Sequence, residues 1–294
     1  MNADEYLKLA EVEDGLWYFH SLHAHVRREL HGHVRRDLRA QMWRELHARV
    51  RELATGIGDG DAAPSPRSGE GAARAPRPQR RILDAGCGTG GLILRMSAMR
   101  PAWKWSGIDF MPLACELARK RCGPEVEIRE ASITALPFAD SSFDAVVSAD
   151  VICQVDNPDV AVGEFFRVLR PGGVVVINVP AYMWMWSYHD DSCQTKHRYT
   201  RPEMAALLTG AGFGLTRLTH LNALPFPLIW AKRKLFRSAS DTSDVKAYPA
   251  PIEAMFRGLT AIEHAWLHTG SAWAWGTSVF AVARKPDQRS ETND

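Results

Sequence analysis

The 294-residue sequence has no run of eighteen apolar residues, the length a helix needs to cross a bilayer. Its start, Met1-Asn2-Ala3-Asp4-Glu5, lacks the basic-then-apolar order of a secretory signal. Cysteine is scarce: the five residues Cys87, Cys115, Cys122, Cys153 and Cys193 are odd in number and contain no C-x-x-C pair. That excludes a disulfide framework and suits a reducing compartment. Charge of one sign is lacking too, since 36 basic against 34 acidic residues leave a net +2. Such a balance offers no global field for nucleic acid, although arginine is concentrated in the first eighty residues. The expectation is a cytoplasmic address and no nucleic-acid partner. With 46% hydrophobic content, a chain of this length can bury one substantial core.

What is present centres on residues 82–91, Ile-Leu-Asp-Ala-Gly-Cys-Gly-Thr-Gly-Gly. An apolar strand runs into Asp84, and a turn follows with Gly86, Gly88 and Gly90. Glycine permits positive φ and removes the Cβ that would keep a ligand away, and the amides that open the next helix carry its positive end. Gly86, Gly88 and Gly91 also satisfy G-x-G-x-x-G, so a dinucleotide enzyme stays open on this motif alone. Asp84 argues against it, because a dinucleotide phosphate gains nothing from a carboxylate there. The cationic amino group and sulfonium of S-adenosylmethionine do gain. A second strand, Trp105-Ser106-Gly107-Ile108-Asp109, ends in the acid that would hold ribose hydroxyls, which either cofactor would use.

Three later segments narrow the choice: Leu136-Pro137-Phe138, then Ser142-Phe143-Asp144-Ala145-Val146-Val147, then Glu164 through Leu169-Arg170-Pro171-Gly172-Gly173. With these, residues 82 to about 212 resemble class I S-adenosylmethionine-dependent methyltransferases, in particular the broad bacterial group with D-x-G-C-G-x-G, L-P-F and L-R-P-G-G. The resemblance implies S-adenosyl-L-methionine as cofactor. Asp84, Gly86, Gly88 and Gly90 would line its methionine end and Asp109 its ribose, with Ser132 and Ile133 beside the adenine and Phe110 and Ala149 completing the pocket. Many relatives carry an acid where Ser132 stands and a histidine where Gln154 stands.

The alternation of strands (near 81–84, 104–108, 125–129, 143–148 and 173–179) with helices (near 90–99, 112–121, 158–169 and 201–211) implies an α/β fold. We expect a doubly wound, Rossmann-like, mostly parallel seven-stranded sheet. Strands near 214–220 and 277–284 would form its C-terminal antiparallel hairpin, with residues 221–275 an insertion on the acceptor side. The catalytic domain then spans 80–285, followed by a disordered tail, 286–294. Residues 1–54 read as an N-terminal helical extension. An eight-residue repeat (His23 to Leu30, His31 to Leu38, weaker copies to 54) puts Val26, Leu30, Val34, Leu38, Met42, Leu46 and Val50 at every fourth position. Steps of four drift by about 40° on a 3.6-residue helix, so this line winds around the axis and is no coiled-coil seam. His25, Glu29, His33 and Asp37, also four apart, read as a solvated face. Residues 55–79, rich in Gly, Ala, Pro and Ser, cannot repay their ordering entropy and read as a disordered linker.

Chemistry is expected beyond the fifth strand, where open α/β sheets bind ligands. The segment Tyr182-Met183-Trp184-Met185-Trp186-Ser187-Tyr188-His189-Asp190 alternates aromatics, and extended backbone would put four rings on one side as an acceptor wall. In the resembling subgroup W-x-x-H-D occupies this place. His189 is the candidate base for an acceptor hydroxyl, with Asp190 orienting or replacing it; a structural His-Asp pair is the alternative. His189, Cys193 and His197 could align as metal ligands on a helix, but lack a fourth, and no metal is expected. Leu221 through Ala231, followed by Lys232, Arg233, Lys234 and Arg237, is too short to span a membrane but suits a lipid interface. Residues 221–237 therefore suggest peripheral contact with the inner face of a membrane, set against plain packing on the domain. The expected activity is O-methylation of a small or amphiphilic acceptor: a lipid-linked sugar, an isoprenoid or quinone-like compound, or an aromatic metabolite. Carbon or nitrogen methylation and a non-catalytic S-adenosylmethionine-binding module are the alternatives. The oligomeric state is not legible.

Overall fold

The computed structural model describes residues 3–55, 79–235 and 244–287. The linker expected at 55–79 lies almost wholly outside these, as does most of the 286–294 tail. Seven strands form one sheet in the order β3-β2-β1-β4-β5-β7-β6. They are β1 (Arg81–Ala85), β2 (Lys104–Asp109), β3 (Glu127–Glu130), β4 (Phe143–Ala149), β5 (Leu169–Pro180), β6 (Gly214–Leu221) and β7 (Ser278–Arg284). The first five pair in parallel, and β7 runs antiparallel between β5 and β6. The helices are α1 (Ala3–Val12), α2 (Trp17–Thr55), α3 (Gly91–Met99), α4 (Pro112–Cys122), α5 (Pro158–Val168), α6 (Tyr188–Ser192), α7 (Arg201–Gly210), α8 (Phe226–Leu235) and α9 (Ala250–His268).

Strand residues alternate between two cores, as a period of two requires. Along β4, Val146 joins α5 and α7 on one face, while Ala145 and Val147 join α2, α3 and α4 on the other; a register shift between Phe143 and Ala145 lets Phe143 join the first face as well. The L-P-F and L-R-P-G-G neighbourhoods meet here. Arg167 donates to the carbonyls of Leu136 (3.1 Å) and Phe138 (2.8 Å), and Glu164 accepts the Leu136 amide at 2.7 Å. These motifs brace the sheet rather than touch a ligand.

Helix α2 covers the sheet with its first half only. Leu22, Val26 and Leu30 are buried, whereas Met42, Trp43 and Leu46 are exposed. The solvated face expected of His25, Glu29, His33 and Asp37 is corrected: His25 and His33 are buried. On a helical wheel these residues interleave with Leu22, Val26 and Leu30, so the face that meets the sheet takes both sets. Asp37 pairs with Arg80 at 3.0 Å and with His33 at 3.3 Å, Glu29 pairs with Arg217 at 3.3 Å, and His25 packs on His264 and Phe280.

The insertion after β6 holds α8 and α9. Helix α9 is anchored by the buried carboxylate of Glu263, which accepts from the amides of Asn222 (2.6 Å), Ala223 (2.7 Å) and Leu224 (3.3 Å).

Candidate active site

The ends of β1, β2 and β4 meet under α1. Asp84, at 2% exposure, has no hydrogen-bond donor among the described residues, and burial, reinforced by the charge of Asp109, raises its carboxyl to about 7. A buried carboxylate without a donor suits a cationic partner. The turn beside it is shaped by close approach. Gly86, at φ 94°, would drive a Cβ to 2.2 Å from the Val151 side chain, and Gly88, at φ 52°, faces Leu9 and Tyr6 of α1. Gly90 caps α3 in the left-handed region.

Asp109 accepts the amides of Gly88 (2.9 Å) and Met111 (3.0 Å), and the hydroxyl of Tyr6 at 3.1 Å. The phenol thus reaches the carboxylate that a diol would use. Phe110 is exposed at the rim, Ile133 is buried, and Ser132 shares a hydrogen bond of 2.7 Å with Thr134. Glu13, in the turn between α1 and α2, takes hydrogen bonds from Thr89 and Arg121, while Arg121 also pairs with Asp14 at 2.8 Å. These contacts fasten the N-terminal helices over the glycine turn.

One cavity of about 1350 Å³ joins this pocket, including Ala149, to a second region lined by Trp17, Tyr18, Phe19, Ile229, Tyr248 and Phe256. Between them lies a cluster that sequence reasoning missed. Tyr18 donates to Asp150 Oδ2 at 2.5 Å, and Asn178 Nδ2 donates to Asp150 Oδ1 (2.9 Å) and to the Tyr18 oxygen (3.0 Å). Asp150 follows β4 in the left-handed region at φ 59°, a conformation that costs an L residue on the order of 1 kcal/mol or more. Burial raises its carboxyl to about 6 against the opposing pull of those two hydrogen bonds.

His189 and Asp190 both line the same cavity. Asp190 forms a buried ion pair with Arg198 at 2.7 Å and accepts the Ser187 amide at 2.9 Å. The His189 Nδ1 accepts the Asp244 amide at 3.1 Å, and burial together with the charge of Arg233 lowers the ring to about 4. A neutral imidazole whose Nδ1 accepts carries its proton on Nε2, which then donates. Asp190 thus bonds Arg198 and the Ser187 amide, and no hydrogen bond joins it to His189 among the described residues.

The four-ring wall is also corrected. Met183–Met185 form a tight turn and Tyr188 opens α6, which breaks the extended alternation. Tyr182 stacks on His220, Trp186 bonds Asp191 at 2.9 Å, Tyr188 bonds Asp244 at 2.9 Å, and none of the four rings lines the cavity. His197 pairs with Glu203 at 3.3 Å, and no group of metal-ligating side chains occurs among the described residues.

Residues 83–177 match the family model of a methyltransferase domain. This segment is a methyltransferase domain. It is similar to the demethylmenaquinone methyltransferase of Thermus thermophilus, 41% identical over 101 residues, which are 33% of this chain and 46% of that one. A protein encoded in a transposon of Streptomyces fradiae is 32% identical over 63% of this chain and 55% of its own. The chain thus spans about half the length of such relatives. Among solved structures, a geranyl diphosphate methyltransferase in complex with GPP and sinefungin shares the methyltransferase fold with a TM-score of 0.50 at 18% identity, over 72% of this chain and 74% of that one.

Proposed function

We propose that the protein transfers the methyl group of S-adenosylmethionine to a small acceptor with an apolar body. The observation that carries this reading is the single cavity running from Asp84 and Asp109 past Asp150 to an aromatic chamber. Its volume exceeds the roughly 300–1,000 Å³ usual for one ligand, which fits a cofactor and an acceptor together. Asp84 offers the cofactor's cationic end its carboxylate, Gly86, Gly88 and Gly90 let the backbone approach, and Asp109 takes the ribose diol. Phe110, Ser132, Ile133 and Ala149 flank the adenine. When bound, the cofactor supplies a carbon already activated by the sulfonium, so the chain chiefly has to align the acceptor and exclude water.

For an oxygen acceptor, Asp150 is the group that would take the hydroxyl proton. Tyr18 and Asn178 fix its orientation, and its carboxyl near 6 leaves it ionised at neutral pH. The family likeness to demethylmenaquinone methyltransferases supports a second reading, methylation of a carbon in an activated ring, which needs a proton acceptor as well. No helix among the described residues is long and apolar enough to cross a membrane, and an amphiphilic acceptor would be met at a lipid surface through 221–237 from the cytoplasmic side. Calorimetric titration with S-adenosylmethionine and with NAD tests the cofactor. Binding of NAD alone would overturn the reading. A panel of hydroxylated and quinol-like amphiphiles assayed for S-adenosylhomocysteine release then tests the acceptor class.

A further inference from the structure

Helix α9 has two apolar faces, and only one is packed. Phe256, Thr260, Glu263 and Leu267 are buried. Ile252, Met255, Leu259, Ile262 and Trp266 recur in alternating steps of three and four, which keeps them within an arc of about 80°. Ile262 is 63% exposed, Trp266 50% and Met255 45%. The arc beside this stripe holds Ala254, Gly258, Ala261 and Ala265 and no charge.

The exposed surface continues at both ends. The Trp266 ring lies 5.9 Å from Trp273, which lies 5.9 Å from the exposed Trp275. At the other end, Ile252 and Met255 share the cavity lining with Leu228 of α8, and Trp230 and Leu235 of that helix are exposed as well. Soluble monomers rarely leave so continuous an apolar patch bare, and indole rings favour the boundary between lipid and water.

The charges around the patch say what would cover it. The acids of α9 face inward: Glu253 accepts the Trp17 amide at 2.9 Å, and Glu263 holds the three insertion amides. The basic charge lies at the α8 end of the patch, where the last turn holds Lys232, Arg233 and Lys234 against one acid, Asp244, which Lys232 and Arg233 share; Arg257 lies on the opposite side of α9 from the stripe and donates to the Gly15 carbonyl. An apolar face with a basic end complements an anionic bilayer.

We propose that the α8 and α9 face docks on an anionic lipid surface, with the cavity mouth between Leu228, Ile252 and Met255 opening onto it so that an amphiphilic acceptor enters from lipid. Only the entry of the acceptor rests on the methyltransferase reading. The whole chain, sedimented with phosphatidylcholine vesicles containing about one-third phosphatidylglycerol, should bind, and should bind less as salt rises. Ile262→Glu and Trp266→Glu should each weaken binding by about tenfold or more while leaving the melting temperature and S-adenosylmethionine affinity unchanged, because both side chains are exposed. No binding to anionic vesicles, or binding that both variants leave intact, would overturn the proposal. So would a stable dimer in solution that the same variants dissociate without any vesicle binding, since a second copy would then be the occupant. Cofactor titration reads the other question: if it succeeds while vesicles fail, docking is wrong and the methyltransferase reading stands, and if it fails, that reading falls whatever the vesicles show.

Discussion

At Asp84, stability and binding pull in opposite directions. Its folded carboxyl near 7 lies above the ordinary 3.8, so its contribution to stability is full below that lower value and is lost as pH rises through 7. Asp84→Asn should therefore raise the melting temperature of the ligand-free protein at pH 8, by several degrees at about 2–4 °C per kcal/mol for a domain of this size, with little effect at pH 4. The same variant should weaken S-adenosylmethionine binding, and the wild-type affinity should climb between pH 6 and 8 as Asp84 ionises. Equal melting curves for the two proteins at pH 8 would refute the assignment. Asp109→Ala should cost on the order of 1.5–3 kcal/mol of cofactor affinity, the range for hydrogen bonds to a charged group, read by titration calorimetry. Arg198→Met strands Asp190 in the interior and should destabilise by about 3–5 kcal/mol in a denaturant titration. Asp84 and Asp109 could be recognised in the sequence because each ends a strand beside a local glycine signature. Asp150 could not: its partners Tyr18 and Asn178 stand 132 and 28 residues away, and only the folded sheet brings the three together.

Among the elements, α2 and α9 carry the largest differences between expectation and structure. The octad repeat of α2 is visible as a helix, but a four-residue step alone does not tell which part of a winding line meets the sheet, so the burial of His25 and His33 was illegible. The contrast is measurable. Leu30→Ala, in the packed half, should cost about 2–5 kcal/mol, whereas Leu46→Ala, in the exposed half, should stay within about 0.5 kcal/mol. In the 182–188 segment the alternating rings suggested a strand, yet Tyr182 turns into the left-handed region at φ 61° and ends the extension. Helix α9 hangs on Glu263. Glu263→Ala leaves three amides unpaired and should lower the melting temperature, with loss of at least about 1.5–3 kcal/mol, while S-adenosylmethionine binding changes little because the anchor touches the insertion alone. A large loss of cofactor affinity in that variant would show that α9 also shapes the cofactor pocket.

For the whole molecule, the parallel sheet and its hairpin were readable because motif order and alternation agree along the chain. The cavity was not, since its roof comes from both ends of the sequence: α1 and α2 from one side, α8 and α9 from the other. A ligand that bridges such a roof binds only the folded state. S-adenosylmethionine at about 100 times its Kd should thus add about 2.7 kcal/mol of stability, seen as a concentration-dependent rise in melting temperature. Leu221 and Ser278 are direct partners in the β6–β7 ladder, so the insertion leaves and rejoins the sheet at one point. Loop-closure cost grows only slowly with length, and a segment whose ends are already side by side can be exchanged with little burden on the sheet. On the proposed function, the insertion is a cassette: transplanting a different 222–277 from another methyltransferase should change the acceptor while the machinery that handles the methyl donor is inherited unchanged.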